Sequence, residues 1–183
     1  LGVERLPITA GEIREDSLRE LIGSGEDAYR VRLVASEAGI DEAAANLALT
    51  EDDYFAIIRG KTAELTAVSC RLGAHYAGAD AATVEAMEGF GRDLGVAFQI
   101  ADDVLDIWGE ERTTGKSLGT DIEKQKLTLP IIRPLATADP ATAASVRRLI
   151  QDASPRSRRE LRPLLESFGA LRDSWEHARA YTA

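Results

Sequence analysis

Apolar positions along this chain recur at three- and four-residue spacing, the period of a helix rather than the alternation of a strand. The pattern is sharp from Thr50 onward. Thr50-Glu51-Asp52-Asp53 reads as a helix start, with a hydroxyl N-cap, acids in the first turn and a carboxylate at the third position. The helix it opens is predicted to run to about residue 76 and to stop near Gly78. Ala81-Ala82-Thr83 starts another, predicted over 83–108 and closed by Gly109. A polar loop over 110–126 contains Gly115 and Gly119, and helices follow over 130–136, 140–153, 157–166 and 171–181. Residues 1–46 are less regular. Ile13, Leu18, Leu21 and Ile22 suggest a helix over 12–22, broken by Gly23-Ser24-Gly25, and 29–38 fits strand and helix equally. With no strand pattern and no internal repeat, the expected fold class is all-α, a single helical domain over 1–183.

Two helices break the usual amphipathic rule. On a helical wheel at about 100° per residue, Gln99, Asp102, Asp103 and Asp106 fall in one narrow stripe, with Arg92 and Gly95 a turn or two upstream. Leu94, Val96, Phe98, Ile100, Val104, Leu105 and Ile107 fill most of the remaining girth. A surface helix has a broad polar face, so this one is expected at the centre of a bundle with its acids facing a cavity. Carboxylates so placed repel one another unless a cation sits between them. Hard divalent metals take oxygen ligands, and magnesium typically combines one or two carboxylates with substrate phosphates. In the preceding helix an apolar stripe runs through Tyr54, Ile57, Ile58, Leu65, Val68 and Leu72, and Lys61 lies in its middle. A lysine there either meets an anion or snorkels to the surface.

The loop Thr114-Gly115-Lys116-Ser117-Leu118-Gly119-Thr120-Asp121 leads to Lys124, Lys126 and Pro130. Its glycines let backbone approach a ligand, and Lys116, Lys124 and Lys126 supply point charges suited to phosphates. Gly115-Lys116-Ser117 lacks the first glycine of a P-loop and the strand before it, which excludes an ATP-binding reading. Composition narrows the partners. The 183 residues carry 22 Lys+Arg against 31 Asp+Glu, a formal charge of -9, and the basic residues are scattered. That argues against a nucleic-acid surface, which needs a basic stripe. The single cysteine, Cys70, rules out an internal disulfide framework and fits a reducing compartment. Cys70 and His75 lie five residues apart on one helix and share no face, which argues against zinc. No apolar run approaches the roughly 20 residues of a membrane span, and no secretory signal opens the chain.

At these residues the sequence resembles the trans-polyprenyl diphosphate synthases, the head-to-tail prenyltransferases. Phe98-Gln99-Ile100-Ala101-Asp102-Asp103-Val104-Leu105-Asp106 resembles that family's second aspartate-rich motif. Gly115-Lys116, Gly119 and Asp121, followed by Lys126-Leu127-Thr128-Leu129-Pro130, resemble the loop and helix start after it. Lys61-Thr62-Ala63 resembles the lysine segment of an earlier helix, so the resemblance covers 50–135 in order. It implies an isoprenoid-synthase-type helical bundle and magnesium held between two facing aspartate motifs and a diphosphate. By the same resemblance Asp102, Asp103 and Asp106 belong to the metal side. Lys61, Lys116 and Lys126 contact diphosphate, and Lys61, Thr62 and Gln99 serve catalysis, the last two near the developing allylic cation. The implied substrates are isopentenyl diphosphate and an allylic prenyl diphosphate, and the implied assembly is a cytoplasmic homodimer.

The sequence also departs from that family. It is considerably shorter, and it has no complete first aspartate-rich motif, no arginine pair and no Gly-Lys-x-x-Arg segment for isopentenyl diphosphate. Ile40-Asp41-Glu42-Ala43 resembles the tail of the first motif with its leading acids gone, and 30–39 resembles part of an early family helix. Together with a start at Leu1, this gives the expectation of a truncated or incompletely represented chain. Gln125 stands where the family often has glycine. The rival expectations are a terpene cyclase or head-to-head synthase of the same fold, and a non-catalytic subunit of a heteromeric synthase. Product length is governed in this family by residues before the first motif.

Overall fold

A computed structural model describes residues 48–115 and 117–182. All of them fall in one compact unit. The expectations for 1–46, including the helix over 12–22, the segments 30–39 and 40–43 and the single domain over 1–183, lie outside the described residues, as does Lys116.

The described residues are helical and without strands. Thr50 forms the expected N-cap, a reciprocal capping box with Asp53 that satisfies the amide of each residue. The helix it opens is interrupted, however. Helix α1 (Glu51–Ile58) passes into a π-helical turn (Arg59–Ala63) and then into α2 (Glu64–Tyr76). The wider turn shifts the buried face: Tyr54, Ile58, Ala63 and Ala67 point into the core, with a five-residue step across the π turn. The apolar stripe expected through Leu65 is therefore displaced. Leu65 is 66% exposed, and Lys61 lies on the surface instead of in a core stripe.

The long helix α3 (Ala81–Trp108) is capped by Asp80, whose carboxylate accepts from the amide of Thr83. Its C-terminal carbonyls are met by Arg158, which donates to the carbonyls of Ile107 at 3.1 Å and Gly109 at 2.9 Å. The loop after it folds into two single turns, α4 (Glu111–Thr114) and α5 (Thr120–Glu123), where an irregular stretch was expected. The remaining helices are α6 (Leu129–Thr137), α7 (Pro140–Asp152), α8 (Pro155–Ser167) and α9 (Ala170–Ala180). Proline in the first turn of α6, α7 and α8 fits because its missing N–H has no partner there in any case. Ile100, Ile107, Ile131, Ile150, Leu161 and Leu165 close the core. Each contributes roughly 1.5–3 kcal/mol by leaving water. No described helix is long and apolar enough to cross a membrane.

Helix α3 packs along α2 on one side and against α9 on another. It is not enclosed all round, as its girth of apolar residues suggested. Phe98 is 63% exposed, and Phe90, Leu94 and Leu105 are also exposed. The contact with α2 is backbone on backbone. A Cβ on Gly95 would lie 2.5 Å from the Ala63 Cα, and one on Gly91 would lie 2.6 Å from the Thr66 carbonyl oxygen. Beside this contact Glu88, buried in α3, accepts from Arg71 at 2.6 Å and Arg92 at 2.9 Å, and Arg92 also reaches Glu64 at 3.1 Å. Opposite charges thus fix the sliding register of two helices whose contact face is nearly featureless.

Gly95→Ala should destabilise the protein by about 1–3 kcal/mol, the usual cost of overpacking, because the clash is with backbone that cannot rotate away. Urea titration measures it, and an unchanged midpoint would mean that the two helices are not held this tightly.

Candidate functional site

The end of α3 holds a carboxylate cluster, and each member is fixed differently. Asp103 is only 3% exposed. Its Oδ2 accepts the Tyr54 hydroxyl at 2.6 Å and its Oδ1 accepts the Gln99 amide nitrogen at 3.0 Å. The Gln99 amide oxygen in turn accepts the Thr62 hydroxyl at 2.9 Å, so Thr62 and Gln99 do come together. The π turn makes this possible, since the extra residue swings Thr62 toward α3, and the Thr66 hydroxyl satisfies the Thr62 carbonyl at 3.0 Å.

Asp106, 2% exposed, anchors the loop. Its Oδ1 accepts the amides of Gly119 and Thr120 at 3.0 and 3.2 Å and the Thr120 hydroxyl at 3.2 Å, while Oδ2 accepts the Asp121 amide at 3.1 Å. The carboxylate takes the place of an N-cap for α5, and Gly119 turns the chain into it at φ 83°, a left-handed conformation suited to glycine. Asp103 and Asp106 are thus each hydrogen-bonded at both oxygens by protein donors, as buried carboxylates require. Of the three acids expected to face a cavity together, Asp103 and Asp106 are buried and Asp102 is half-buried. Among the described residues no three His, Cys, Asp or Glu side chains are grouped to hold an ion by themselves.

Asp102 lies half-buried on the same strip, close enough for its charge to act on both Asp103 and Asp121. Asp121 meets Lys126 across 3.6 Å. Burial raises the Asp121 carboxyl above its ordinary range and the Asp106 charge adds to this, while Lys126 opposes it, Asp102 adds to it and Lys61 opposes it. Lys61 and Lys126 therefore both border the cluster. Burial likewise pushes Asp103 up to about 7; the hydrogen bonds from Tyr54 and Gln99 work against the shift, and the charges of Asp121 and Asp102 add to it. The Tyr54 hydroxyl is pushed far upward, by burial first and then by the charge of Asp103, so it stays a donor.

Such crowding is relieved by a divalent cation. A magnesium site completed by substrate phosphates needs only one or two carboxylates, so Asp102 and Asp121, with lysines at the rim, fit one. Two members of the site carried no role in the sequence reading. Tyr54 read as a core aromatic, although a buried tyrosine needs a partner for its hydroxyl and so signals a polar group opposite. Asp121 stood in the loop motif without a task, and its proximity to Asp106 is created by the loop fold.

The fold and site define a helical-bundle domain built around a lysine-bordered carboxylate cluster. The polyprenyl synthetase family profile matches residues 33–168, and the chain belongs to that family. It is 49% identical over 87 residues to the geranylgeranyl diphosphate synthase of Mycobacterium tuberculosis, a match covering 48% of this chain and 25% of that protein. It is 32% identical over 133 residues to the octaprenyl diphosphate synthase of Escherichia coli, covering 72% of this chain and 41% of that protein. Among solved structures, the polyprenyl synthase of Caulobacter crescentus complexed with calcium and isoprenyl diphosphate aligns with a TM-score of 0.76. Its sequence is 34% identical, and the alignment covers 90% of this chain and 50% of that one. The chain spans less than half the length of these curated relatives. The expected isoprenoid-synthase-type bundle is borne out.

Asp103 supplies a pH test. Its carboxyl holds a proton more tightly in the folded state than in the unfolded chain, where the ordinary value is 3.8. Its contribution to stability is therefore fully present below about pH 4 and is lost as pH rises through about 7. Without divalent metal, the stability of the wild type relative to Asp103→Asn should fall across that window. A flat or rising difference in thermal midpoints would contradict the placement of Asp103.

Proposed function

We propose that the protein containing this chain is a trans-prenyltransferase that condenses isopentenyl diphosphate with an allylic prenyl diphosphate, and that it depends on magnesium. The observation that carries the reading is the carboxylate cluster of Asp102, Asp103, Asp106 and Asp121 bordered by Lys61 and Lys126, on a chain of the polyprenyl synthetase family. A divalent ion and a prenyl diphosphate as ligands are supported by the Caulobacter crescentus structure, which is complexed with calcium and isoprenyl diphosphate.

In this reading the allylic diphosphate sits at the acidic end of α3. Asp102 and Asp121 would hold magnesium, whose chemistry when bound is to neutralise charge on the diphosphate. Lys61, exposed at the rim, and Lys126, which exchanges part of its pairing with Asp121 for the ligand, bind the diphosphate oxygens. Lys116 is assigned the same task by the family resemblance alone. Their charge is worth more as the diphosphate departs than before, which is how such groups lower a barrier. Asp106 keeps the loop carrying Asp121 in place. Thr62 and Gln99 lie where positive charge develops on the allylic carbon; the isopentenyl double bond then attacks, and proton loss completes the step. A cytoplasmic homodimer belongs to this reading through family membership alone.

The assay is elongation of an allylic diphosphate by labelled isopentenyl diphosphate with magnesium, using the full-length protein. Elongated product is expected; cyclised product would favour a cyclase, and silence without a partner a heteromeric subunit. Asp102→Asn should raise the magnesium requirement, and Lys61→Ala should raise KM for the allylic substrate and lower kcat, each by about tenfold or more. If both variants changed stability alone and left the kinetics intact, the cluster would not be the diphosphate site.

A further inference from the structure

The hydrogen bonds that join Tyr54 and Thr62 through Asp103 and Gln99 each have a defined donor and acceptor. Asp103 accepts at both of its oxygens, and the Tyr54 hydroxyl gives its proton to Oδ2 at 2.6 Å. Gln99 turns its amide nitrogen toward Asp103 Oδ1 at 3.0 Å. The Gln99 oxygen is then directed at Thr62, whose hydroxyl must donate to it. Once its proton is committed in this way, the Thr62 oxygen can present only lone pairs to anything else that approaches. Reversing any one member would turn the Thr62 proton outward. The chain crosses three elements, α1 through Tyr54, the π turn through Thr62 and α3 through Gln99 and Asp103. Its far end is sealed, since Tyr54 is 3% exposed and its ring packs edge-on against Phe55 at 5.4 Å.

We propose that Tyr54 and Asp103 are positioning residues for the allylic substrate: they polarise Gln99 and Thr62 so that a hydroxyl oxygen, and not a hydroxyl proton, meets the carbon that becomes positive. The inference rests on the prenyltransferase reading and deepens it. It gives Asp103 a task separate from metal binding, and it gives Tyr54 a task that its place in the core does not suggest. A proton pointed at the allylic carbon would disfavour ionisation, whereas lone pairs favour it in the transition state more than in the ground state. Stabilisation of this kind appears in turnover and in the preference for a positively charged ligand, with little effect on how firmly the diphosphate is held.

The test uses the full-length protein with magnesium and two probes, an allylic diphosphate analogue bearing an ammonium nitrogen at the reacting carbon and its uncharged carbon isostere. Calorimetry gives the affinity of each. In the wild type the ammonium probe should bind more tightly than the isostere. Tyr54→Phe keeps the ring and should cut that preference roughly five- to tenfold, the effect of one lost hydrogen bond. It should lower kcat by a similar factor and leave the allylic KM and the isostere affinity within about twofold. Asp103→Asn should do the same, and the double variant should be no worse than the worse single variant, because the residues act as one chain. A preference unchanged in both single variants at unchanged melting temperature, or losses that simply add, would overturn the proposal while leaving the prenyltransferase reading intact. A wild type that binds neither probe and elongates nothing would remove that reading and this inference with it.

Discussion

Everything at the acidic end of α3 depends on how closely that helix lies on the π turn and α2. Side chains on both surfaces would hold the axes 8–10 Å apart, and glycine at 91 and 95 removes them on one side. The Ala63 backbone then touches α3, and Thr62 reaches Gln99. The salt bridges among Glu64, Arg71, Glu88 and Arg92 fix the remaining freedom, the slide of one helix along the other. A chemical site that needs positions accurate to fractions of an ångström is thus set by a contact with no chemistry of its own.

From that contact the carboxylates acquire different tasks. Asp103 points back into the bundle and orders Tyr54 and Gln99. Asp106 points down the helix and collects the amides of residues 119–121, which carries Asp121 and Lys126 to the same place. Asp102 remains half-buried beside the charge of Asp121. The run of acids on one helix face thus divides into two that anchor neighbouring segments and one, Asp102, that meets the charge of Asp121 across the loop, and its spacing alone does not separate these places.

Most of the fold was legible because it is local. The capping box at Thr50, the glycine stops at 78 and 109 and the prolines opening later helices are short-range signals, and each helix expected after residue 50 appears within a few residues of its span. The π turn was not legible. A wheel drawn at one fixed angle per residue cannot register a local change of pitch, so Leu65 is exposed where the stripe predicts burial, and Lys61 takes the surface place that was one of its two alternatives. The tasks of Asp106 and Asp121 were hidden for another reason: they are created when the loop closes on α3, a contact between segments 13 to 15 positions apart. One departure did carry information. Gln125, where related chains often have glycine, adopts φ 56°, and its side chain holds the strained turn by donating to the Gln151 carbonyl at 3.1 Å.

The division of labour among the carboxylates is the central claim, and diffraction from the full-length protein soaked with manganese and a non-ionisable allylic diphosphate tests it most directly. Manganese accepts the same oxygen ligands as magnesium and is located by its anomalous signal. An ion should bridge the diphosphate to Asp102 and Asp121, with Asp103 still bonded to Tyr54 and Gln99 and Asp106 still bonded to the amides of residues 119–121. Metal bound by Asp103 or Asp106, with those hydrogen bonds broken, would contradict it.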